Sequence, residues 1–137
     1  MAKKFDVEIV TAQGRFWRGE ADMVIMQTVE GEMAVMHGHI PAVAALKPSP
    51  LRIRDEEGKI KVVFIGGGFM EMDGKKATFL LRSAEWPQSI DITRAEEAKR
   101  RAEERLAKAD GSTDQERAEA ALQRAITRLK IAQSNRE

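Results

Sequence analysis

Phe5, Val7 and Ile9 alternate with Asp6 and Glu8, the period-2 pattern of a half-buried strand. Gln13-Gly14 and Glu30-Gly31 mark turns on either side of further strand candidates, Phe16 to Arg18 and Met23 to Val29. Met33 to Met36 follows. Leu51-Arg52-Ile53-Arg54 alternates, and Glu57-Gly58 turns the chain into Ile60 to Ile65. Phe69 to Met72 then leads through Asp73-Gly74 into Ala77 to Leu81, and Asp-Gly between strand-forming residues predicts a hairpin. Short strands with turns at this spacing predict an antiparallel sandwich or barrel over residues 1–85, and of the two a β-sandwich of about ten strands is the expectation adopted.

Beyond Ser89 the period changes. Ala95, Ala98, Ala102, Leu106 and Ala109 recur at helical spacing, as do Ala118, Leu122, Ala125, Leu129 and Ala132. Thr93 to Glu96 fits a capping box, with Asp91 as the alternative cap, and Thr113 to Glu116 fits a second. Asp110-Gly111-Ser112 separates the two runs. Residues 90–137 are therefore expected to form an antiparallel two-helix hairpin. Residues 86–89 form the linker, because Pro87 cannot extend a ladder and holds Trp86 extended. Only Gly111 of the ten glycines lies in the helical part, and no proline does. The seam is mostly alanine, which buries little area at ~25 cal/mol per Å² and so holds the helices weakly enough to open.

Composition narrows the function. The chain is 42% hydrophobic and 33% charged, with a net charge of +1. The apolar content suffices for a core, and no global field points to nucleic acid or an anionic membrane. With no cysteine, disulfide scaffolds, zinc–thiolate sites and thiol nucleophiles are excluded. No run reaches the ~18 apolar residues of a membrane span, and no signal peptide follows Lys3-Lys4, so a soluble chain in a reducing cytoplasm is expected.

The sharpest chemistry is in the arginines. Arg94 and Arg101 share one helical face, and Arg124 and Arg128, four apart, share another. Like charges at that spacing disfavour an isolated helix, yet four guanidiniums facing one another suit a triphosphate. The blander reading, commoner on spacing alone, has them as solvated charges paired with Glu97, Glu104 and Glu119. Asp91 is either a helix cap or an acceptor for a base or ribose, and Glu85 is a further acceptor. Gly66-Gly67-Gly68 lacks the Gly-Lys-Ser/Thr of a phosphate loop and is read as a bulge or a close backbone approach. His37 and His39 have too few companions for a metal, so no metal site is expected. Trp17 and Trp86 are read as packing or interface residues, and no catalytic constellation is present. A nucleic-acid-binding module using the hairpin is opposed by 5% aromatic content.

A small β-domain followed by an alanine-rich hairpin resembles the epsilon subunit family of bacterial F-type ATP synthases, along essentially the whole chain. Glu30 to Pro41 looks like that family's glycine, acidic residue, apolar strand and histidine turn. Gly67-Gly68-Phe69-Met70-Glu71 looks like its glycine-glycine-apolar-x-glutamate run, and Ala84-Glu85 like the close of its β-domain. Ile90-Asp91-Ile92-Thr93-Arg94-Ala95 is similar to the ATP-binding motif of Bacillus-like members. Ala34, where the family commonly has glycine, and a methionine-rich core (Met23, Met26, Met33, Met36, Met70, Met72) depart from its pattern. The resemblance implies a non-catalytic rotor subunit that couples rotation between the c-ring and the catalytic head. It implies gamma and c-ring as partners of the β-domain, and alpha and beta as partners of an extended, hydrolysis-inhibiting hairpin. It implies ATP as a regulatory ligand that is not hydrolysed, held by Glu85, Ile90, Asp91, Arg94, Ala95, Arg101, Arg124 and Arg128, with the part of magnesium left open. The expected location is peripheral, at the cytoplasmic face of the cell membrane, without direct insertion and without nucleic acid. A purely structural coupling subunit whose motif no longer binds ATP is the alternative within the family.

Overall fold

The computed structural model of the chain describes residues 3–108 and 114–136, in two compact units, Met1–Glu85 and Trp86–Glu137. The first unit is all strand: β1 (Phe5–Thr11), β2 (Gly14–Ala21), β3 (Met23–Thr28), β4 (Gly31–Met36), β5 (Ala42–Arg54), β6 (Ile60–Met72), β7 (Lys76–Leu81) and β8 (Ala84–Glu85). They hydrogen-bond in the order β2-β1-β7-β6-β5-β3-β4, with β8 on β6. β1, β2 and β7 lie beside the Gly68–Met72 end of β6, while β3 pairs chiefly with the Arg52–Arg54 end of β5. The two long strands thus tie together the two layers of a β-sandwich. Val7, Ile9, Val24, Met26, Val35, Leu51, Phe64 and Phe79 fill its core.

Three expectations are corrected. Among the described residues there are eight strands rather than about ten, because two of them are long. β5 and β6 each run 13 residues and pair in one register from Ala42↔Met72 to Arg54↔Ile60. Ile60–Ile65 and Phe69–Met72, expected as separate strands, are one strand through three glycines. The stretch from Ala42 to Pro50, not expected as strand, is the first part of β5. Its prolines are tolerated because the β3–β5 ladder steps from Arg52 to Leu46 and so leaves their missing N–H groups without a β3 acceptor to serve. The sheet is also not wholly antiparallel, since β1 and β7 pair in parallel. Lastly, Met36 is 51% exposed at the edge of the sheet, although Met26, Met70 and Met72 are core residues.

The glycine run makes the close backbone approach expected of it. A Cβ on Gly68, whose φ is 145°, would collide with the Leu80 carbonyl and lie 2.9 Å from Leu81 Cα. One on Gly66 would collide with Ser83 Oγ. The Asp73 turn is set by its own carboxylate, which accepts N–H bonds from Lys75 and Lys76 at 2.9 and 2.8 Å. Those bonds hold the carboxyl below its ordinary range. Between neighbouring strands, Glu8 accepts from Lys76 at 3.0 Å and Arg15 at 2.8 Å, and these cations likewise lower its pKa.

The second unit holds a 3₁₀ turn (Pro87–Ser89) and helices α1 (Ile92–Lys108) and α2 (Gln115–Arg136). The helices pack together, and only six residues separate them, so they run antiparallel. Ala95 and Ala102 of α1 and Ala118, Ala125, Leu129 and Ala132 of α2 are buried, with Ala98, Leu106 and Leu122 half-buried. That is the predicted seam. Ala109 and Gly111, and with them the second capping box's Thr113, lie outside the described residues.

Candidate functional site

The site foreseen in the sequence is built on how the chain enters α1. Trp86 is extended (φ −71°, ψ 148°) before the fixed φ of Pro87, and the turn closes with Ser89 N–H donating to the Trp86 carbonyl at 3.0 Å. Ile90, only 2% exposed, follows it. Asp91 is the residue that caps α1. Its Oδ1 accepts from Arg94 N–H at 3.0 Å and its carbonyl from Ala95 N–H at 3.0 Å. Thr93, the expected capping-box residue, sits inside the first turn instead. Ala95, 4% exposed, begins the seam. The run Ile90 to Ala95 therefore has two buried residues, one cap, and one arginine whose side chain is exposed.

Arg101 is also exposed on α1, whereas Arg124 and Arg128 of α2 are half-buried. Their levels along the hairpin follow from helix rise. Arg94 stands 14 residues before Lys108 and Arg128 stands 13 after Gln115, so at ~1.5 Å per residue both lie about 20 Å from the connection. Arg101 and Arg124 lie about 10 and 14 Å from it by the same measure. Two cations from each helix thus occupy overlapping stretches of one hairpin. That donor set, planar and permanently charged, fits a polyphosphate. Glu104, a partner of these arginines in the blander reading, pairs with Arg100 at 3.0 Å. Glu85 belongs to the first unit, half-buried at the end of β8 and paired with Phe64 in register.

Other candidates come to less. His37 and His39 lie in the turn after β4, where His39 Nδ1 is 2.8 Å from the Ile40 carbonyl. Among the described residues, no three of His, Cys, Asp and Glu group as metal ligands, and no helix is long and apolar enough to cross a membrane. Sequence reasoning missed one surface. Phe69 and Leu80 are 58% and 51% exposed and face each other across β6 and β7, with Val10 next to Leu80 on β1. With Arg82 they line a shallow cleft of about 380 Å³. Phe69 and Leu80 are apolar residues of two strand candidates in the sequence, and only the strand register brings them into one outward row.

Comparison with known proteins gives one consistent result. The β-sandwich domain of the ATP synthase delta/epsilon chain family matches residues 4–87, and that family's long α-helix domain matches residues 88–133. The chain is 45% identical over 130 residues to an ATP synthase epsilon chain of Bacillus mycoides, covering 95% of this chain and 97% of that one. It is 41% identical over 131 residues to one of Clostridium novyi, covering 96% and 99%. Among solved structures, it superposes with a TM-score of 0.80 and 20% identity on a chain of the Euglena gracilis mitochondrial ATP synthase, over 98% of this chain and 82% of that one. At that identity the last likeness speaks for the fold.

Proposed function

This chain belongs to the ATP synthase delta/epsilon family, as a bacterial epsilon chain, and from that premise we propose that it is a central-stalk subunit with an ATP-sensing hairpin. As a family member it is a non-catalytic subunit and not an enzyme in itself. In our reading the β-unit joins gamma and the c-ring at the cytoplasmic face of the cell membrane and passes rotation to the catalytic head. The exposed Phe69–Leu80 row supports a protein contact there, which we assign to gamma. Failure of the native chain to bind isolated gamma would remove that contact.

The regulatory part rests on one observation: arginines from α1 and α2 stand at overlapping levels along the folded hairpin. ATP would be held by Arg94 and Arg101 on one side and Arg124 and Arg128 on the other. Asp91, Ile90 and Ala95 shape the start of α1. Bound ATP supplies charge that bridges the two helices, and its hydrolysis plays no part. A ligand that binds one state stabilises it by RT ln(1 + [L]/Kd), ~1.4 kcal/mol at ten times Kd. That is a tenfold population shift, decisive only if the states are nearly balanced, as an alanine seam favours. High ATP then keeps the hairpin folded. Low ATP frees it to extend along gamma toward alpha and beta and inhibit hydrolysis.

Calorimetric titration of ATP into the isolated chain, with GTP as control, tests this reading. We expect one-to-one, ATP-selective binding, weakened roughly tenfold or more in Arg101→Ala and Arg128→Ala by loss of a charge-assisted contact, with the β-unit's unfolding unchanged. Unchanged affinity in both variants would sink the site. No binding at millimolar ATP would leave the hairpin an ATP-independent arm.

A further inference from the structure

α1 and α2 repeat one another at a spacing of 23 residues, and Arg94, Arg101 and Arg105 of α1 return as Arg117, Arg124 and Arg128 of α2. The caps repeat with them. Asp114 Oδ1 accepts from Arg117 N–H at 3.1 Å, as Asp91 Oδ1 does from Arg94 N–H at 3.0 Å. Each of the six arginines directly precedes a buried or half-buried seam residue, as Arg94 precedes Ala95 and Arg128 precedes Leu129. One residue is ~100° around a helix, so every arginine stands about a quarter turn from the seam, in the same sense. The helices run antiparallel and face each other through that seam. A twofold axis perpendicular to the plane of the hairpin therefore relates them, and it keeps both columns of arginines on one side. The columns form three rungs. Arg94 and Arg128 lie about 20 Å from the connection, and Arg101 and Arg124 about 10 and 14 Å. Arg105 stands three residues before Lys108 and Arg117 two after Gln115, so the third rung lies about 3–5 Å from it.

The ATP reading uses the first two rungs and leaves the third without a role. That rung differs from a solvated charge of the usual kind, which has a carboxylate three or four residues away, as Arg100 has Glu104 at 3.0 Å. At those distances from Arg105 stand Arg101, Ala102, Lys108 and Ala109, none of them acidic. Around Arg117 the one acid is Asp114, whose carboxylate caps the helix. Both arginines are exposed, and neither has an ion pair among the described residues. We propose that Arg105 and Arg117 form a further phosphate subsite, which makes the hairpin a receptor for linear polyphosphate chains longer than the triphosphate of ATP. The proposal rests on the ATP reading for its first two rungs and goes beyond it at the third. A phosphate chain carries charge and acceptor oxygens at every unit, so it meets guanidiniums from both columns as it runs between them. It also offsets the repulsion among three like-charged rungs on one side of the hairpin.

The experiment is calorimetry on the full chain with inorganic triphosphate, a longer linear inorganic polyphosphate and, as a control of equal charge, polyglutamate. Three proteins are compared: the native chain, Arg105→Gln with Arg117→Gln, and Arg100→Gln with Lys130→Gln, which removes the same charge from exposed positions outside the rungs. Glutamine keeps a helix propensity close to that of arginine, and far-UV circular dichroism checks each fold. The longer chain should bind the native protein about tenfold tighter than triphosphate, the gain of a charge-assisted contact. Arg105→Gln with Arg117→Gln should lose about that tenfold for the longer chain and less for triphosphate. The other pair should lose less than about threefold. Three results would overturn the subsite: a longer chain that binds no tighter than triphosphate, equal losses in the two variants, or polyglutamate binding as well as polyphosphate. A native chain that binds the longer polyphosphate but no ATP sinks the sensor reading and keeps this subsite. One that binds ATP with no preference for the longer chain sinks the subsite alone, and one that binds neither sinks both.

Discussion

Lys99, Glu103, Glu104 and Lys108 of α1 stand where α2, 23 residues on, has Leu122, Ile126, Thr127 and Ile131. In α1 the last three of these are exposed. In α2, Thr127 and Ile131 are buried and the other two half-buried. The seam alanines at equivalent positions do not differ in this way, since Ala102 and Ala125 are 2% and 1% exposed. Even the local pairing is conserved in geometry and changed in kind. Arg100 reaches Glu104 at 3.0 Å, and at the equivalent positions Gln123 Nε2 reaches Thr127 Oγ1 at 3.4 Å. Thr127 also donates to the Gln123 carbonyl at 2.8 Å, so its buried hydroxyl is satisfied. Charges serve the i,i+4 pair whose members are both exposed, and neutral groups serve the one that joins exposed Gln123 to buried Thr127. The two helices thus share one pattern of caps and seam alanines, and α2 has buried or half-buried residues where α1 has charged ones.

The largest test of that difference exchanges the faces. Ile131→Lys gives α2 a residue of α1's kind at a buried position and should destabilise the hairpin by roughly 2–4 kcal/mol, from lost burial and a charge with no place to go. Lys108→Ile, the reverse change at an exposed position, should stay within about 0.5 kcal/mol. Denaturant unfolding followed by helix-specific hydrogen exchange would read both, and equal effects would break the distinction. Next in size, Leu129→Ala at 9% exposure should cost about 2–3 kcal/mol, against about 1 for Leu106→Ala at its half-buried equivalent. If the two costs are equal, the deeper burial of Leu129 adds nothing to the stability of the hairpin. The smallest effect is in the paired side chains. A double-mutant cycle on Arg100 and Glu104 should give about 0.3–0.5 kcal/mol, fading at 1 M salt, where the screening length is ~3 Å. The Gln123–Thr127 cycle should not change with salt, and a salt-dependent result there would place charge where the structure has none.

The β-unit was less legible than the hairpin, and the reasons are specific. β1 was readable from its alternation, and the turns at Gln13-Gly14, Glu57-Gly58 and Asp73-Gly74 from glycines that adopt positive φ. The first part of β5 was hidden by Pro48 and Pro50, which read as breakers until the missing β3 partner is seen. β6 was cut in two by glycines whose purpose, clearance for Leu80 of β7 and for Ser83 just before β8, belongs to other segments. In the site, the choice between Asp91 and Thr93 as cap was open in the sequence because both precede a helical run. The phase of α1 settled it.

What the sequence determined by itself was whatever depends on near neighbours along the chain: the change of period at Ser89, the helical seams, the Asp-Gly turn, and the spacing of Arg94, Arg101, Arg124 and Arg128. These rest on backbone geometry and side-chain period, which act over a few residues. Only the tertiary structure decided the parallel pairing of β1 with β7, the outward row of Phe69 and Leu80, and the half-burial of Arg124 and Arg128 while Arg94 and Arg101 stay exposed. Each depends on which distant segment lies alongside. An alternating or helical pattern states that a face is apolar or charged, but it does not state what, if anything, covers that face.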